Sequence, residues 1–158
     1  MVKYAEGTSV SSSQSRSEIE RTLIKYGAGG FMYGWQDNRA VVGFTMNGKQ
    51  IKFLLQLPDP NDREFTHTPS RNQRRSAEQQ EAVYEQAVRQ RWRALALVIK
   101  AKLEAVEAGI TIFENEFLAH IVLPNGQTAG DYMVPQIEAA YSNGQMPALL
   151  PQLMGKGG

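Results

Sequence analysis

Cysteine is absent from these 158 residues. That excludes disulfides, thiolate nucleophiles and cysteine-held zinc or iron–sulfur centres, and it is compatible with a reducing compartment. Long apolar runs are missing too. Nothing approaches the roughly 20 residues needed to span a bilayer, and the best stretch, Ala94 to Ile99, is stopped by Lys100 and Lys102. The opening MVKYAEGTSVSSSQSRSEIE holds no apolar core of signal-peptide length. A soluble, cytoplasmic chain with no membrane partner is expected. Catalytic patterns are equally scarce: there is no Walker loop, GxGxxG, HExxH or GxSxG elbow, and the two histidines are His67 and His120. Composition alone leaves a Ser–His–Asp triad open, but no residue pattern points to one. The reading is a non-enzyme without cofactors.

What is present is ordinary for a globular domain, 42% hydrophobic and 21% charged, in a length that buries a core without metals or cross-links. The net charge of +1 hides a segregation. Residues 1–62 carry +1, residues 63–102 carry nine basic against four acidic side chains, and residues 103–158 carry one against six. Such blocks mark either a binding surface or well-solvated faces that neutralise one another.

Residues 1–14 read as a flexible start, 15–145 as one α+β domain and 146–158 as a loose tail. Ser17-Glu18-Ile19-Glu20 offers a capping box for a short helix whose apolar face is Ile19, Leu23, Ile24 and Tyr26, with Gly27 as its stop. A three-stranded antiparallel meander follows: Phe31 to Trp35, Ala40 to Met46, and Gln50 to Leu57. Asn47-Gly48 is the strongest turn signal in the chain. Residues 58–75 form a long connection with Pro58, Pro60 and Pro69. Loops of that length inside a compact domain are functional or disordered.

The longest element runs from Ser76 to about Ala108 without Gly or Pro. Tyr84, Val88, Trp92, Leu95, Ile99, Leu103, Val106 and Ile110 recur at helical spacing. At 1.5 Å per residue it spans about 50 Å, more than a small domain needs. Either it breaks, or part of its seam packs on another copy, making a homo-oligomer. Short C-terminal helices follow. Thr111 to Glu114 opens one bearing Phe113, Phe117, Leu118 and Ile121. Asp131 caps another, with Val134, Ile137 and Tyr141 facing inward.

Three constellations could carry chemistry. Arg71, Arg74 and Arg75 stand directly before a helix N-terminus, where guanidinium groups and free N–H groups both suit phosphate; a solvated basic loop is the plain alternative. Arg89, Arg91 and Arg93 flank Trp92, and Arg89 with Arg93 share a helix face on which a phosphate would relieve their repulsion. Trp35, among the sheet aromatics, could stack on a base, although sheet aromatics are more often core. Glu116 and His120, with Glu114 beside them and Asp131 beyond a turn, have metal-ligand spacing, yet an i,i+4 pair of this kind is usually a surface contact.

The order of helix, meander and long helix resembles the double-stranded-RNA-binding domain, whose second helix also starts at a basic cluster, here Arg71 to Arg75. That family's Gly-Pro-x-His loop is replaced by Gln36-Asp37-Asn38. The same order resembles the core of phage single-strand annealing proteins, by architecture alone. The stretch from Trp92-Arg93-Ala94-Leu95 to Glu116-Phe117-Leu118-Ala119-His120 resembles small proteins of bacteriophages and prophages over about half the chain. The resemblance implies a phage-type genome and the host cytoplasm. The expected function is non-catalytic nucleic-acid binding, DNA before RNA, through the six arginines and Trp35. The alternatives are a protein-binding module, such as an inhibitor of a host defence nuclease, and a metal enzyme built on Glu114, Glu116 and His120.

Overall fold

The computed structural model describes residues 12–146. The flexible start and loose tail expected from sequence lie, for 1–11 and 147–158, outside the described residues. Within them the fold is α+β. Helix α1 spans Ser13–Lys25, and strands β1 (Gly29–Gln36), β2 (Arg39–Met46) and β3 (Lys49–Gln56) form an antiparallel sheet in that order. A short α2 (Arg63–Thr66) precedes the long α3 (Ala77–Glu107). Then come α4 (Phe113–Glu116), a 3-10 turn at Leu118–His120, and α5 (Ala129–Asn143).

Helix α1 begins a turn before the Ser17 box expected for it, and its N-cap Ser12 makes no side-chain capping bond. Tertiary contact supplies what local capping does not. The Tyr33 hydroxyl donates to the Arg16 carbonyl at 2.7 Å, and the Arg16 guanidinium lies over the Tyr33 ring. Ile19 and Leu23 are buried as expected, whereas Ile24 points outward.

The hairpin at Asn47-Gly48 is where expected, with both residues at positive φ (+52 and +73) as a tight two-residue turn requires. Register places Tyr33 opposite Val42 and Val42 opposite Phe53, so period-2 alternation sends these inward with Phe44 and Ile51. Helices α1 and α3 share that face. Val88, Trp92, Ile99 and Leu103 of α3 close the core, and Phe113 and Phe117 seal its far end against Phe44 and Phe53.

Helix α3 neither breaks nor needs another copy to bury the seam from Tyr84 to Leu103. Ser76 and Gln79 form a reciprocal capping box at its start. Gly109 (φ +77) ends it in a Schellman motif, with the N–H of Ile110 bonded to the Ala105 carbonyl and that of Gly109 to Val106. Ile110 lies past this stop and is 81% exposed.

The C-terminal part departs most from expectation. Thr111 does not cap α4, whose N-cap is Ile112. Ile121 and Val122 extend the sheet instead, Val122 N–H bonding the Gln50 carbonyl at 2.8 Å beside β3. Thr128, not Asp131, caps α5; its hydroxyl accepts from the Asp131 N–H. Val134, Ile137 and Tyr141, expected inward, are 52%, 44% and 88% exposed. The sheet's covered face is already filled by α1 and α3, and among the described residues α5 leans mainly on the 3-10 turn, where Gly130 passes close to the Ala119 carbonyl. No helix among the described residues is long and apolar enough to cross a membrane.

Candidate nucleic-acid interface

The long connection is folded. Phe65 of α2 is buried edge-on against Tyr84 of α3, ring centroids 5.3 Å apart, and the Tyr84 hydroxyl donates to the Pro58 carbonyl at 2.9 Å. After α2 the chain turns back on itself. The N–H of Thr68 bonds the Gln73 carbonyl at 2.8 Å and that of Arg75 the Thr66 carbonyl at 2.7 Å, with Asn72 at φ +54 in the bend. These bonds make a small lobe packed beside the start of α3.

The lobe encloses a shallow concavity of about 400 Å³, walled by Arg63, Glu64, His67, Thr68, Asn72 and Arg75. Two guanidinium groups on it are held from one side. Arg63 Nη2 donates to Asn72 Oδ1 at 2.7 Å, and Arg75 Nε donates to the His67 carbonyl at 3.3 Å. A guanidinium has five N–H donors, so each keeps others for an anion. Desolvation, then the charges of Arg63 and Arg74, holds the His67 imidazole below its ordinary value. An anion seated there would raise it again.

Of the three loop arginines chosen from sequence, only Arg75 walls the concavity; Arg71 and Arg74 are exposed outside that wall, Arg74 bridged through its backbone to His67. Arg63, His67, Thr68 and Asn72 were missed. Arg63 and His67 lie four residues apart in a proline-rich stretch with no hydrophobic period, so their spacing gave no sign of a helix. The α3 N-terminus is also less available than expected, because the capping box engages the N–H groups of both Ser76 and Gln79.

The helix arginines do not join this cluster. Ser76 and Arg89 are separated by roughly 20 Å of helix, and Glu78, Glu81 and Glu85 intervene. Positions two apart differ by roughly 200° around a helix, so Arg91 stands on the opposite flank from Arg89 and Arg93. There its Nη1 donates to the Gln56 carbonyl at 2.8 Å, fastening α3 to the end of β3. Arg89 donates to the Gln86 side chain at 2.6 Å, and Arg93 is exposed. Trp35 pairs in register with buried Ala40, which puts it on the core-facing side of the sheet, 39% exposed near the strand's end. The seven residues therefore form no single surface.

The metal-like trio is dispersed as well. Glu114 pairs with Lys49 and Glu116 with Lys102, each at 3.3 Å, while His120 stacks on Phe53 with centroids 4.0 Å apart. Among the described residues no three His, Asp or Glu side chains stand together to hold a metal ion. Comparison with protein-family models, with curated proteins and with solved structures finds no match to this chain.

Proposed function

We propose that this chain is a non-catalytic nucleic-acid-binding protein that holds backbone phosphate in the lobe of residues 58–75. The observation that carries the reading is the concavity in which Arg63 and Arg75 are pre-oriented by Asn72 and the His67 carbonyl. Fixed guanidinium groups bind phosphate bidentately at a reduced entropic cost. Arg71 and Arg74 add charge at the rim. DNA is the expected polymer and the cytoplasm the expected setting, that of the host if the gene is a phage's. Fluorescence anisotropy with labelled single-stranded and duplex oligonucleotides at about 50 and 200 mM salt tests this, because a handful of phosphate contacts costs orders of magnitude in affinity over that range. Arg63→Glu with Arg74→Glu should reduce affinity at least tenfold while circular dichroism stays unchanged. Equal affinity in the variant, or no binding at the lower salt, removes the reading.

A protein-binding role, such as inhibition of a host defence nuclease, is favoured by a different observation. The end of α5 carries an apolar cleft of about 360 Å³ lined by Ile137, Ala140, Tyr141 and Met146, and among the described residues no side-chain cation or carboxylate lines it. Exposed apolar surface of that kind serves protein contacts better than phosphate.

A further inference from the structure

Helix α3 is apolar on two faces, and only one of them is the core. Leu97 is two positions from Ile99, hence about 200° around the helix from it. Ile99 is fully buried while Leu97 is 60% exposed, with Val98 at 45% and Ala94 and Ala101 exposed beside them. Positions 90, 94, 97, 101, 104 and 108 step by 4, 3, 4, 3 and 4 along the solvent side, the spacing of a helix–helix contact line; Ala94, Leu97, Ala101 and Ala108 are its apolar members, and Gln90 and Glu104 its polar ones. The charges on and beside this line have a polarity. Arg93 precedes its centre, Glu104 and Glu107 follow it, and neither ion pair among the described residues engages any of the three.

We infer that this face binds the same face of a second copy, with the two α3 helices antiparallel about a two-fold axis beside residue 99. A two-fold contact is self-complementary: if one residue meets another, the reverse holds too. Here Leu97 meets the partner's Ala101, and Ala101 the partner's Leu97. The small side chains at 94 and 101 let the helix axes approach closely. Arg93 lies between the partner's Glu104 and the partner's Glu107, twice over by symmetry. A parallel pair about a two-fold axis would instead set the Arg93 flank against the partner's opposite flank, at Ala94 and Val98, where no carboxylate stands. Charge complementarity therefore selects both the occupant and its direction. Lys100 falls near the axis and meets its own mate, a mild repulsion between exposed groups. The contact runs over about 27 Å of helix. That is a small interface, and the dimer we infer is one with a dissociation constant on the order of micromolar. The inference is independent of the phosphate reading, because the lobe arginines lie outside the contact.

Sedimentation equilibrium of the full chain at about 100 µM, where a micromolar dimer is nearly saturated, should give a mass twice the 17.6 kDa of the chain. Leu97→Glu, at a position outside the core, should give the monomer with an unchanged circular dichroism spectrum. Arg93→Glu should weaken the dimer at least tenfold, as should a Glu104→Arg/Glu107→Arg variant, and combining all three should restore it. Restoration by the combined swap requires these residues to face one another across copies, which a merely structural role would not produce. A monomeric wild-type chain overturns the inference and leaves the face to a different protein. A dimer indifferent to Leu97→Glu, or a combined swap that fails to restore association, overturns it equally.

Discussion

Helices α3 and α5 carry similar patterns in the sequence and have opposite surroundings in the structure. Each shows apolar residues at helical spacing, a capping residue before it and a glycine after it. Tyr84, Val88, Trp92, Leu95, Ile99 and Leu103 of α3 are buried, whereas Val134, Ile137 and Tyr141 of α5 face outward. Periodicity reports that a helix has an apolar face. It does not report what remains to cover that face. A three-stranded sheet offers limited area, and two helices already use the inner side, so among the described residues a third helix of the same character attaches mainly near its first turn.

The largest predicted effect measures this difference directly. Leu103→Ala empties fully enclosed space and should cost about 2–5 kcal/mol, the range for such core truncations. Ile137→Ala, a comparable deletion on α5, should cost less than about 0.5 kcal/mol, as exposed substitutions do. Denaturant midpoints for the two variants make the comparison. A similar loss for both would mean that α5 is buried against something beyond the described residues.

The caps sharpen it at smaller scale. Ser76→Ala and Thr128→Ala each remove a side-chain acceptor at a helix start, worth about 1 kcal/mol to the helix concerned. In α3, which is part of the core, the loss should appear in global unfolding. In α5 it should appear as faster amide exchange across Ala129–Asn143 with an almost unchanged global midpoint, because weakly docked segments open on their own. Equal shifts in the global midpoint would make α5 part of the same cooperative unit.

The same contrast explains what could be read in advance. The meander, the Asn47-Gly48 turn and the extent of α3 were legible because local signals and tertiary packing agree there. The first turn of α1 was not, because Tyr33 secures it from another element. The lobe was hidden for a related reason: its order depends on Phe65 reaching Tyr84, a contact that no local pattern announces. Basic charge near Arg74 and Arg75 was plain in the sequence. The partners that orient Arg63 and Arg75, namely Asn72 and a backbone carbonyl, became visible only once the chain had turned back on itself. Arg89, Arg91 and Arg93 show the reverse error, since neighbours in sequence separate onto two flanks of the helix.

The smallest effect concerns the joint between the two regions. His120 lies in the 3-10 turn on which α5 rests, with its ring against Phe53 and with Lys102 and Glu116 beside it. Burial, then the Lys102 charge, holds the imidazole below its ordinary value of 6.5, with a hydrogen bond involving the Lys52 backbone opposing them. A histidine depressed in the folded state is protonated more readily when unfolded. Its contribution to stability is therefore complete above 6.5, is lost as pH falls through that value, and levels off once the folded form also takes up its proton. Urea midpoints should fall between about pH 7.5 and 5.5, and His120→Gln should flatten the fall. His67 is depressed in the same direction, so a His67→Gln background isolates the joint. Because a proton on His120 adds charge between Phe53 and α5, protection against amide exchange, taken relative to the intrinsic rate at each pH, should drop at the lower pH more in α5 than in α3. A loss of protection of equal size in both helices would show that the proton loosens the whole core, and the two regions would then be one.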